Sequence, residues 1–309
     1  GYEINPLWIR YSPGVVPAIY WIIQMLTEIE DSVALMSPVY YPFANAIRDT
    51  SRTLVDVPLV KDENGYYTMD LESFEATVQK KDVRLFILCS PHNPVGRVWH
   101  EEELRNLLDV CRRNGVYVIA DEIHHDLIMP GQRQITAAAA GDYDSILITL
   151  TSASKTFNLA SCQNAMAIIP NDALRAKYDA MTRKIKTQSG SSFGYVAYEA
   201  AFRGGKEWLE QVIQLIYGNY QILVKGLKQK LPEAVVSPLE GTYLAWVDLS
   251  AYLSDRDTER TIRDICNLAV DFGEWFGRNK YENFIRVNLA TSPDNVRQIV
   301  ARLDRINTL

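Results

Sequence analysis

Four apolar segments rich in β-branched residues constrain the fold of this chain more than any other feature. They lie at residues 85–89, 116–120, 146–150 and 165–169. Each is continuously apolar instead of alternating, which is the pattern of strands covered on both faces. Residues 101–114, between the first two, place leucines at helical spacing, and a strand, a helix and a strand in this order form a right-handed parallel crossover. We therefore predict an α/β fold with a mostly parallel sheet and helices on both of its faces.

The pattern beyond Lys206 indicates a second, smaller unit. A long helix at about 207–230 is followed by a strand at 241–248, a helix at about 258–270, a strand at 284–289 and a last helix from Asp294 onward. This order is typical of an α+β unit. We predict a large domain at residues 1–205, which begins with a helix from about residue 14 to about residue 30. A smaller C-terminal domain follows at residues 206–309.

Charge and cysteine usage restrict the partners of the chain. The net charge is −6, and the lysines and arginines are scattered, so nucleic acid and anionic membranes are not expected as partners. The four cysteines are far apart and include no Cys-x-x-Cys pair, as in proteins whose thiols stay reduced. The sequence shows no signal-peptide pattern and no run of 18 apolar residues. These features predict a cytoplasmic protein.

Polar side chains follow three of the predicted strands at the point where each strand ends. Asn93 follows the first apolar segment, Asp121 and His124 follow the second, and Ser152 and Lys155 follow the third. The carboxyl ends of parallel strands meet at one edge of the sheet, and ligands of open α/β sheets bind there. A lysine amine that is desolvated at such an edge loses its proton more readily and becomes a nucleophile toward carbonyl carbon.

Each of these residues also has a plainer interpretation. Lys155 can be a lysine that reaches solvent at a loop, Asn93 part of a turn, Asp121 a helix N-cap and His124 a partly buried polar residue. A metal site built from Asp121, His124 and His125 is a further alternative. Adjacent histidines in regular structure are poorly placed to bind one ion, so we predict no metal.

Three motifs at the strand ends distinguish these interpretations. They are Ser90-Pro-His-Asn-Pro-Val-Gly-Arg-Val-Trp99, Asp121-Glu-Ile-His124 and Ser154-Lys-Thr-Phe-Asn-Leu159. Together they resemble the fold-type I enzymes of the class I/II aminotransferase superfamily, which depend on pyridoxal 5'-phosphate (PLP). The resemblance is closest to the cystathionine β-lyases of the MalY/PatB type, which are C–S lyases. It extends over essentially the whole chain, and it implies PLP as the cofactor and the PLP fold type I for the large domain.

The resemblance implies a role for each residue at the strand ends. Lys155 is the implied catalytic residue, which binds the cofactor aldehyde covalently and acts as the general base. Asp121 is implied to face the pyridine nitrogen, because its negative charge keeps that nitrogen protonated. Asn93 and His124 are implied to hydrogen-bond the 3-oxygen of the ring, where many relatives carry tyrosine in place of the histidine.

The resemblance also assigns the phosphate and the substrate contacts. The amides of Val15 and Val16 at the start of a helix are implied to bind the phosphate, with the hydroxyl of Ser152. Tyr40 matches the aromatic residue that stacks on the ring, and it is expected to contact substrate together with Asn93. Arg286 matches the arginine that binds the substrate carboxylate in a two-pronged ion pair. An arginine in a strand can also be an edge residue that faces water, and Tyr41, beside Tyr40, is expected in the core.

Two departures from the family pattern stand out. Many aminotransferases carry an arginine eight residues beyond the lysine, which pairs with the phosphate, and this chain has Gln163 there. The C–S lyase branch often lacks this arginine too. The second departure is at the start, because relatives carry several dozen residues before the segment that matches residues 1–6. The chain is therefore expected to be truncated at its N-terminus.

The implied reaction is the α,β-elimination of L-cystathionine or a related cysteine S-conjugate to a thiol, pyruvate and ammonia. An aminotransferase that uses the same cofactor and residues is the alternative. A second alternative, from another class, is a catalytically silent fold that acts as a binding protein because its N-terminal part is missing. The implied partners are a small amino-acid substrate and a second copy of the chain in a homodimer.

Overall fold

The computed structural model describes residues 2–308, and in them the first two-thirds of the chain contains nine strands. These strands are β1 (Ile9–Ser12), β2 (Ser32–Leu35), β3 (Thr53–Asp56), β4 (Val60–Lys61), β5 (Tyr67–Thr68), β6 (Val83–Cys89), β7 (Tyr117–Asp121), β8 (Leu147–Thr151) and β9 (Ala165–Ile168). Seven of them form one sheet in the order β1-β9-β8-β7-β6-β2-β3, and β4 pairs with β5 in a hairpin. Five adjacent strands of this sheet run parallel to one another, namely β8, β7, β6, β2 and β3. The other two are antiparallel to their neighbours: β9 to β8, and β1 to β9. The predicted mostly parallel sheet is confirmed.

Helices cover both faces of this sheet. The helices in this part of the chain are α1 (Val15–Leu26), α2 (Pro42–Asp49), α3 (Leu71–Lys81), α4 (Glu101–Arg113), α5 (Ala153–Thr156), α6 (Asp172–Lys184) and α7 (Ser192–Gly204), of which α1, α2, α3, α4 and α6 pack on the sheet. Neighbouring side chains of a strand point to opposite faces, so Val118 and Ala120 of β7 join the apolar cluster beneath α3 and α4. Ile119, between them, joins the cluster beneath α1, α2 and α6. Burial on both faces explains why these strands are continuously apolar.

A smaller antiparallel sheet follows in the C-terminal third. Its strands are β10 (Val235–Val236), β11 (Leu244–Asp248), β12 (Asp271–Phe272) and β13 (Phe284–Asn288), in the order β10-β11-β13-β12. The helices here are α8 (Lys206–Lys230), α9 (Ser250–Leu253), α10 (Thr258–Arg260) and α11 (Pro293–Leu303). Side chains of α8 and α11 share one apolar cluster with β11 and β13. No helix among residues 2–308 is both long enough and apolar enough to span a membrane.

Two predicted helices are shorter in the structure than in the sequence analysis. The first ends at Leu26 and not near residue 30, because the next residue, Thr27, has extended backbone angles and its hydroxyl donates to the Ile23 carbonyl. The helix predicted at 258–270 consists of α10 and one π-helical turn that ends at Ile265. It stops there because Asn267 has a positive φ of 53°, and the chain then continues into β12.

A buried arginine ties the loop after β6 to the segment that leads into β11. Arg97 is 1% exposed, and its Nε donates to Glu240 Oε2 at 2.8 Å. One terminal nitrogen donates to both carboxylate oxygens of Glu103, at 2.8 and 3.0 Å, and the other donates to the Tyr67 carbonyl. The guanidinium also lies 4.5 Å from the centre of the Trp99 ring. The same loop carries Asn93, so this ion-pair network fixes part of the cleft described below.

We expect Arg97→Met to destabilise the protein by about 3–5 kcal/mol, because Glu240 is then left buried without its counter-charge. Urea unfolding followed by circular dichroism measures this loss. Arg203→Met is the matched control, since Arg203 pairs with Glu199 on the exposed face of α7 and such pairs contribute about 0.2–1 kcal/mol. Equal midpoints for the two variants would contradict the importance of the buried network.

Candidate active site

A cleft of about 320 Å³ lies where the carboxyl ends of β6, β7 and β8 face the smaller sheet. It lies at this edge because β6, β7 and β8 are parallel neighbours, so the loops after them meet. The nine residues predicted from the sequence all line it, namely Val15, Val16, Tyr40, Asn93, Asp121, His124, Ser152, Lys155 and Arg286. Tyr41 lies outside the cleft and packs against Phe276 with ring centres 5.9 Å apart.

Lys155 is carried on the single helical turn α5, directly after β8. Ser152 caps this turn, because its Oγ accepts a hydrogen bond from the Ser154 amide at 3.1 Å. The lysine is partly buried. Burial raises the pKa of Asp121 and the charge of Lys155 opposes that rise, whereas burial and the same charge both lower the pKa of His124. The three side chains therefore interact electrostatically across one cleft, which an isolated surface lysine would not do.

Asp121 is a buried carboxyl group at the end of β7. Its Oδ1 accepts a hydrogen bond from the Ile123 amide at 3.0 Å, and the side chain lines the cleft. Burial raises the pKa of Asp121 to about 7, although the Ile123 amide and Lys155 oppose this rise. A cation beside Asp121 would restore the ionised form. The carboxyl is therefore suited to a partner such as a protonated ring nitrogen.

The pKa of Asp121 predicts how the stability of the cofactor-free protein depends on pH. The folded pKa of about 7 exceeds the unfolded value of about 4, so the proton stabilises the fold fully below about pH 4. This contribution is lost as the pH rises through about 7. Buried carboxyl groups therefore make the free energy of unfolding of the cofactor-free protein fall between about pH 4 and about pH 7, whereas the buried His92 and His124, with pKa values lowered to about 4 and about 3, make it rise. Asp121→Asn should make that fall smaller, and urea titrations of both proteins at several pH values measure it.

The neighbouring carboxyl group of Glu122 explains why the fall in the free energy of unfolding should become smaller in Asp121→Asn and not disappear. Burial also raises the pKa of Glu122, whose Oε1 accepts from the Ala137 amide at 2.7 Å, so Glu122 changes stability in the same direction. An unchanged slope in Asp121→Asn would show that Asp121 is not the buried acid inferred here.

His124 is neutral and keeps one ring nitrogen without a hydrogen bond. Burial is the largest of the effects that lower its pKa, to about 3. Its ring packs edge-on against Tyr243 at 5.5 Å, and its buried Nδ1 has no partner among residues 2–308. His125 turns away from the cleft, since its Nδ1 lies 2.7 Å from the Glu122 carbonyl oxygen. The described residues contain no group of three or more His, Cys, Asp or Glu side chains arranged to hold a metal ion.

Arg286 reaches the cleft from β13 of the smaller sheet. Its Nη1 donates to Asn93 Oδ1 at 2.8 Å, and its Nε and Nη2 donate to Asp271 Oδ2 at 3.0 and 2.5 Å. Asp271 lies directly opposite Arg286 in the β12–β13 pairing. Two of the five guanidinium N–H groups remain for a ligand, one on each terminal nitrogen. Arg286 is therefore a largely buried cation, fixed in position by its hydrogen bonds to Asn93 and Asp271, and it can bind a carboxylate.

The start of α1 also lines the cleft and offers free backbone donors. Gly14 is the N-cap of α1, and the amides of Val15 and Val16 in its first turn have no acceptor within the helix. The partial positive charge at a helix N-terminus favours an anion there. The Ser152 hydroxyl is already engaged, because its Oγ lies 2.9 Å from both the Asn164 carbonyl oxygen and Ser154 Oγ.

The residues at the cleft fit the group that the sequence resemblance implies. Asp121 at the end of β7 matches a ring nitrogen. The neutral His124, with its unpartnered nitrogen, matches a ring oxygen, and the backbone amides at the start of α1 match a phosphate. Lys155 lines the same cleft with all three. These matches concern the type and place of each group, and the roles themselves remain predictions.

Asn164, Tyr243 and Asp271 are among the cleft residues that the sequence analysis did not single out. Asp271 lies in the stretch after the helix predicted at 258–270, and two-residue strands such as β12 give no periodic signal. Tyr243 directly precedes β11, within the predicted strand at 241–248. Asn164 directly follows Gln163, which does not line the cleft and has a positive φ of 47° as the C-terminal cap of a 3₁₀ turn.

Comparison with known proteins agrees with this fold and cleft. Residues 5–303 match the family described as aminotransferase class I and II. Cystathionine β-lyase PatB of Bacillus subtilis is 36% identical over 98% of this chain and 79% of its own length. Protein MalY of Escherichia coli is 31% identical over 97% of this chain and 76% of its own length.

Two solved structures have the same fold. Cystalysin of Treponema denticola, which contains PLP, superposes with a TM-score of 0.95 at 32% identity, over 99% of this chain and 78% of that one. The PLP-bound C–S lyase of Staphylococcus hominis superposes with a TM-score of 0.94 at 30% identity, again over 99% and 78%. The fold and the cleft thus define a protein of the PLP fold type I. The chain belongs to the class I and II aminotransferase family.

Proposed function

We propose that this protein is a PLP-dependent C–S lyase that eliminates a thiol from L-cystathionine or a related cysteine S-conjugate. The observation that carries the proposal is one cleft in which Lys155, Asp121 and the Arg286–Asn93 pair meet at the carboxyl ends of parallel strands. The relatives named above, PatB and the C–S lyase of Staphylococcus hominis, favour elimination over amino transfer.

The chain's own residues hold the substrate and move its proton. The two remaining N–H groups of Arg286 bind the substrate α-carboxylate, and Asn93 keeps the guanidinium in place. Lys155 Nζ removes the Cα proton as general base. When bound, PLP supplies an electron sink for the bonding electrons released at Cα. Asp121 would hold a proton on the ring nitrogen. The β-thiolate leaves with the electrons of the C–S bond, and water hydrolyses the remaining three-carbon enamine to pyruvate and ammonia.

The other residues that line the cleft contact the phosphate, the ring face and the ring oxygen of PLP. Val15 and Val16 donate to the phosphate, with Ser152 beside them, and Tyr40 covers one face of the ring. His124 and Asn93 bind the ring oxygen. Asn93 can serve both partners, because its Oδ1 accepts from Arg286 while its Nδ2 has no acceptor among the described residues.

The test is pyruvate release from L-cystathionine without any keto-acid acceptor. Protein loaded with PLP is mixed with substrate, and pyruvate is followed by coupled reduction with lactate dehydrogenase. A lyase gives a steady rate over many turnovers, because the cofactor returns to its starting form. An aminotransferase releases no pyruvate from L-cystathionine; it converts one equivalent of substrate to the corresponding keto acid and then stops until an acceptor keto acid is added. That second result would refute the lyase proposal and leave the cofactor assignment intact.

We also propose that the protein is a cytoplasmic homodimer with a large domain at 1–205 and a small domain at 206–309. The exposed apolar face of α7, where Phe193 is 86% and Val196 is 66% exposed, supports a protein partner. The start of α8 at Lys206 supports the division into two domains at residues 205 and 206. The four free cysteines support a reducing compartment such as the cytoplasm. Sedimentation equilibrium measures the dimer, and a monomer at micromolar concentration would refute it.

A further inference from the structure

Asn164 has a buried side chain that lines the cleft and has no hydrogen-bond partner. The residue is 5% exposed, yet its amide makes no hydrogen bond with any other side chain or backbone group among residues 2–308. Its backbone carbonyl, in contrast, accepts from Ser152 Oγ at 2.9 Å and from the Tyr198 hydroxyl. The amide nitrogen and oxygen keep some access to the cleft, so a bound ligand can supply the missing hydrogen bond.

Strand pairing places Asn164 beside the N-terminus of α1. In the antiparallel pair β1–β9, Ser12 lies opposite Ala165, so the residue before Ala165 comes next to Pro13 and Gly14. Gly14 is the N-cap of α1, a helix of 12 residues whose first amides are free. The backbone of Asn164 is therefore next to the start of α1, and Asn164, Val15 and Val16 all line the cleft.

Packing by α7 holds the segment around Asn164 in position. At Gly194 a Cβ atom would lie 2.9 Å from the Cys162 carbonyl oxygen and 3.6 Å from Asn164 Nδ2. The helix thus rests directly on this segment, because glycine leaves no side chain between them. Tyr198, one turn further along α7, donates to the Asn164 carbonyl. The backbone at Asn164 is therefore held in position before any ligand arrives.

We propose that Asn164 is a cofactor-binding residue whose side-chain Nδ2 donates a hydrogen bond to the phosphate of PLP. It supplies a neutral donor next to Gln163, the position at which the family resemblance leads one to expect a phosphate-pairing arginine. This proposal rests on the proposed function only in that the cleft binds PLP. It does not depend on whether the reaction is elimination or amino transfer.

The test compares the binding of PLP with that of pyridoxal, which lacks the phosphate. Cofactor-free wild-type protein and the variants Asn164→Ala and Asn164→Asp are titrated with each compound, and absorbance gives the dissociation constants. We expect Asn164→Ala to weaken PLP binding about 10-fold or more, since a hydrogen bond to a charged group is lost. Asn164→Asp keeps the shape but sets a carboxylate against the phosphate, so its loss should be larger still. Pyridoxal binding should change by less than about threefold in both variants.

The control is Gln163→Ala, which changes the neighbouring residue outside the cleft and should leave both constants unchanged. Inorganic phosphate is the second probe, and it should compete with PLP for the wild-type protein and less well for Asn164→Asp. An equal loss of PLP and pyridoxal would show a merely structural role and overturn the proposal, as would unchanged PLP binding. Wild-type protein that bound neither compound would contradict the proposed function itself, and this proposal with it.

Discussion

Replacing Lys155 by alanine is expected to lower pyruvate formation from L-cystathionine by about 10³-fold or more. Lys155 is assigned both the covalent attachment of the cofactor and the removal of the Cα proton, and general base catalysis alone contributes about 10²–10⁴-fold. The loss should appear in kcat, because the proton is moved after the substrate has bound. Steady-state kinetics of the PLP-loaded protein measure it.

Two further variants make the Lys155 result specific. Lys155→Arg keeps a positive charge in the cleft but remains protonated at neutral pH, so it should be nearly as inactive as the alanine variant. Lys184→Ala removes a lysine from the last turn of α6 on the exposed surface and should keep full activity. If Lys155→Ala retained more than about a tenth of the wild-type kcat, another group would have to be the base.

Replacing Arg286 by methionine is expected to lower kcat/KM by about 10²–10³-fold, since removal of one partner of a buried ion pair costs about 2–5 kcal/mol. The effect should be mainly on KM, because the carboxylate is bound in the ground state as well as in the transition state. Asp271 is partly exposed, so water can solvate it once its partner is gone.

Arg286→Lys separates charge from geometry. A lysine retains the positive charge but not the fixed planar donors, which contact Asn93 and Asp271 at the same time. We expect it to recover only a small part of the lost kcat/KM. Full recovery would show that charge alone matters, and unchanged KM in Arg286→Met would show that the substrate carboxylate binds elsewhere.

The main sheet could be predicted from sequence because its signal is local. Continuous apolar strands identify β6, β7 and β8, and the rule for parallel strands then places Asn93, Asp121 and Lys155 at one edge without knowledge of distant contacts. The strand β1 was missed for the opposite reason. It is an antiparallel edge strand in which Arg10 and Tyr11 interrupt the apolar pattern, and only its pairing with β9 makes it a strand.

The missed site residues depend on contacts between distant parts of the chain. Asp271 becomes the partner of Arg286 only because the short strand β12 pairs with β13. Asn164 reaches the N-terminus of α1 through the β1–β9 pairing, which joins residues about 150 positions apart in sequence. Neither contact has a periodic pattern in the sequence, so motif and spacing arguments could not find it.

Covalent attachment of the cofactor to Lys155 is the central step of the proposed function, and one measurement tests it directly. Protein loaded with PLP is reduced with borohydride and digested, and the peptides are analysed by mass spectrometry. We expect the mass of one reduced cofactor on the peptide that contains Lys155, and none in Lys155→Ala. An unmodified Lys155 peptide, or a cofactor fixed on a different lysine, would contradict it.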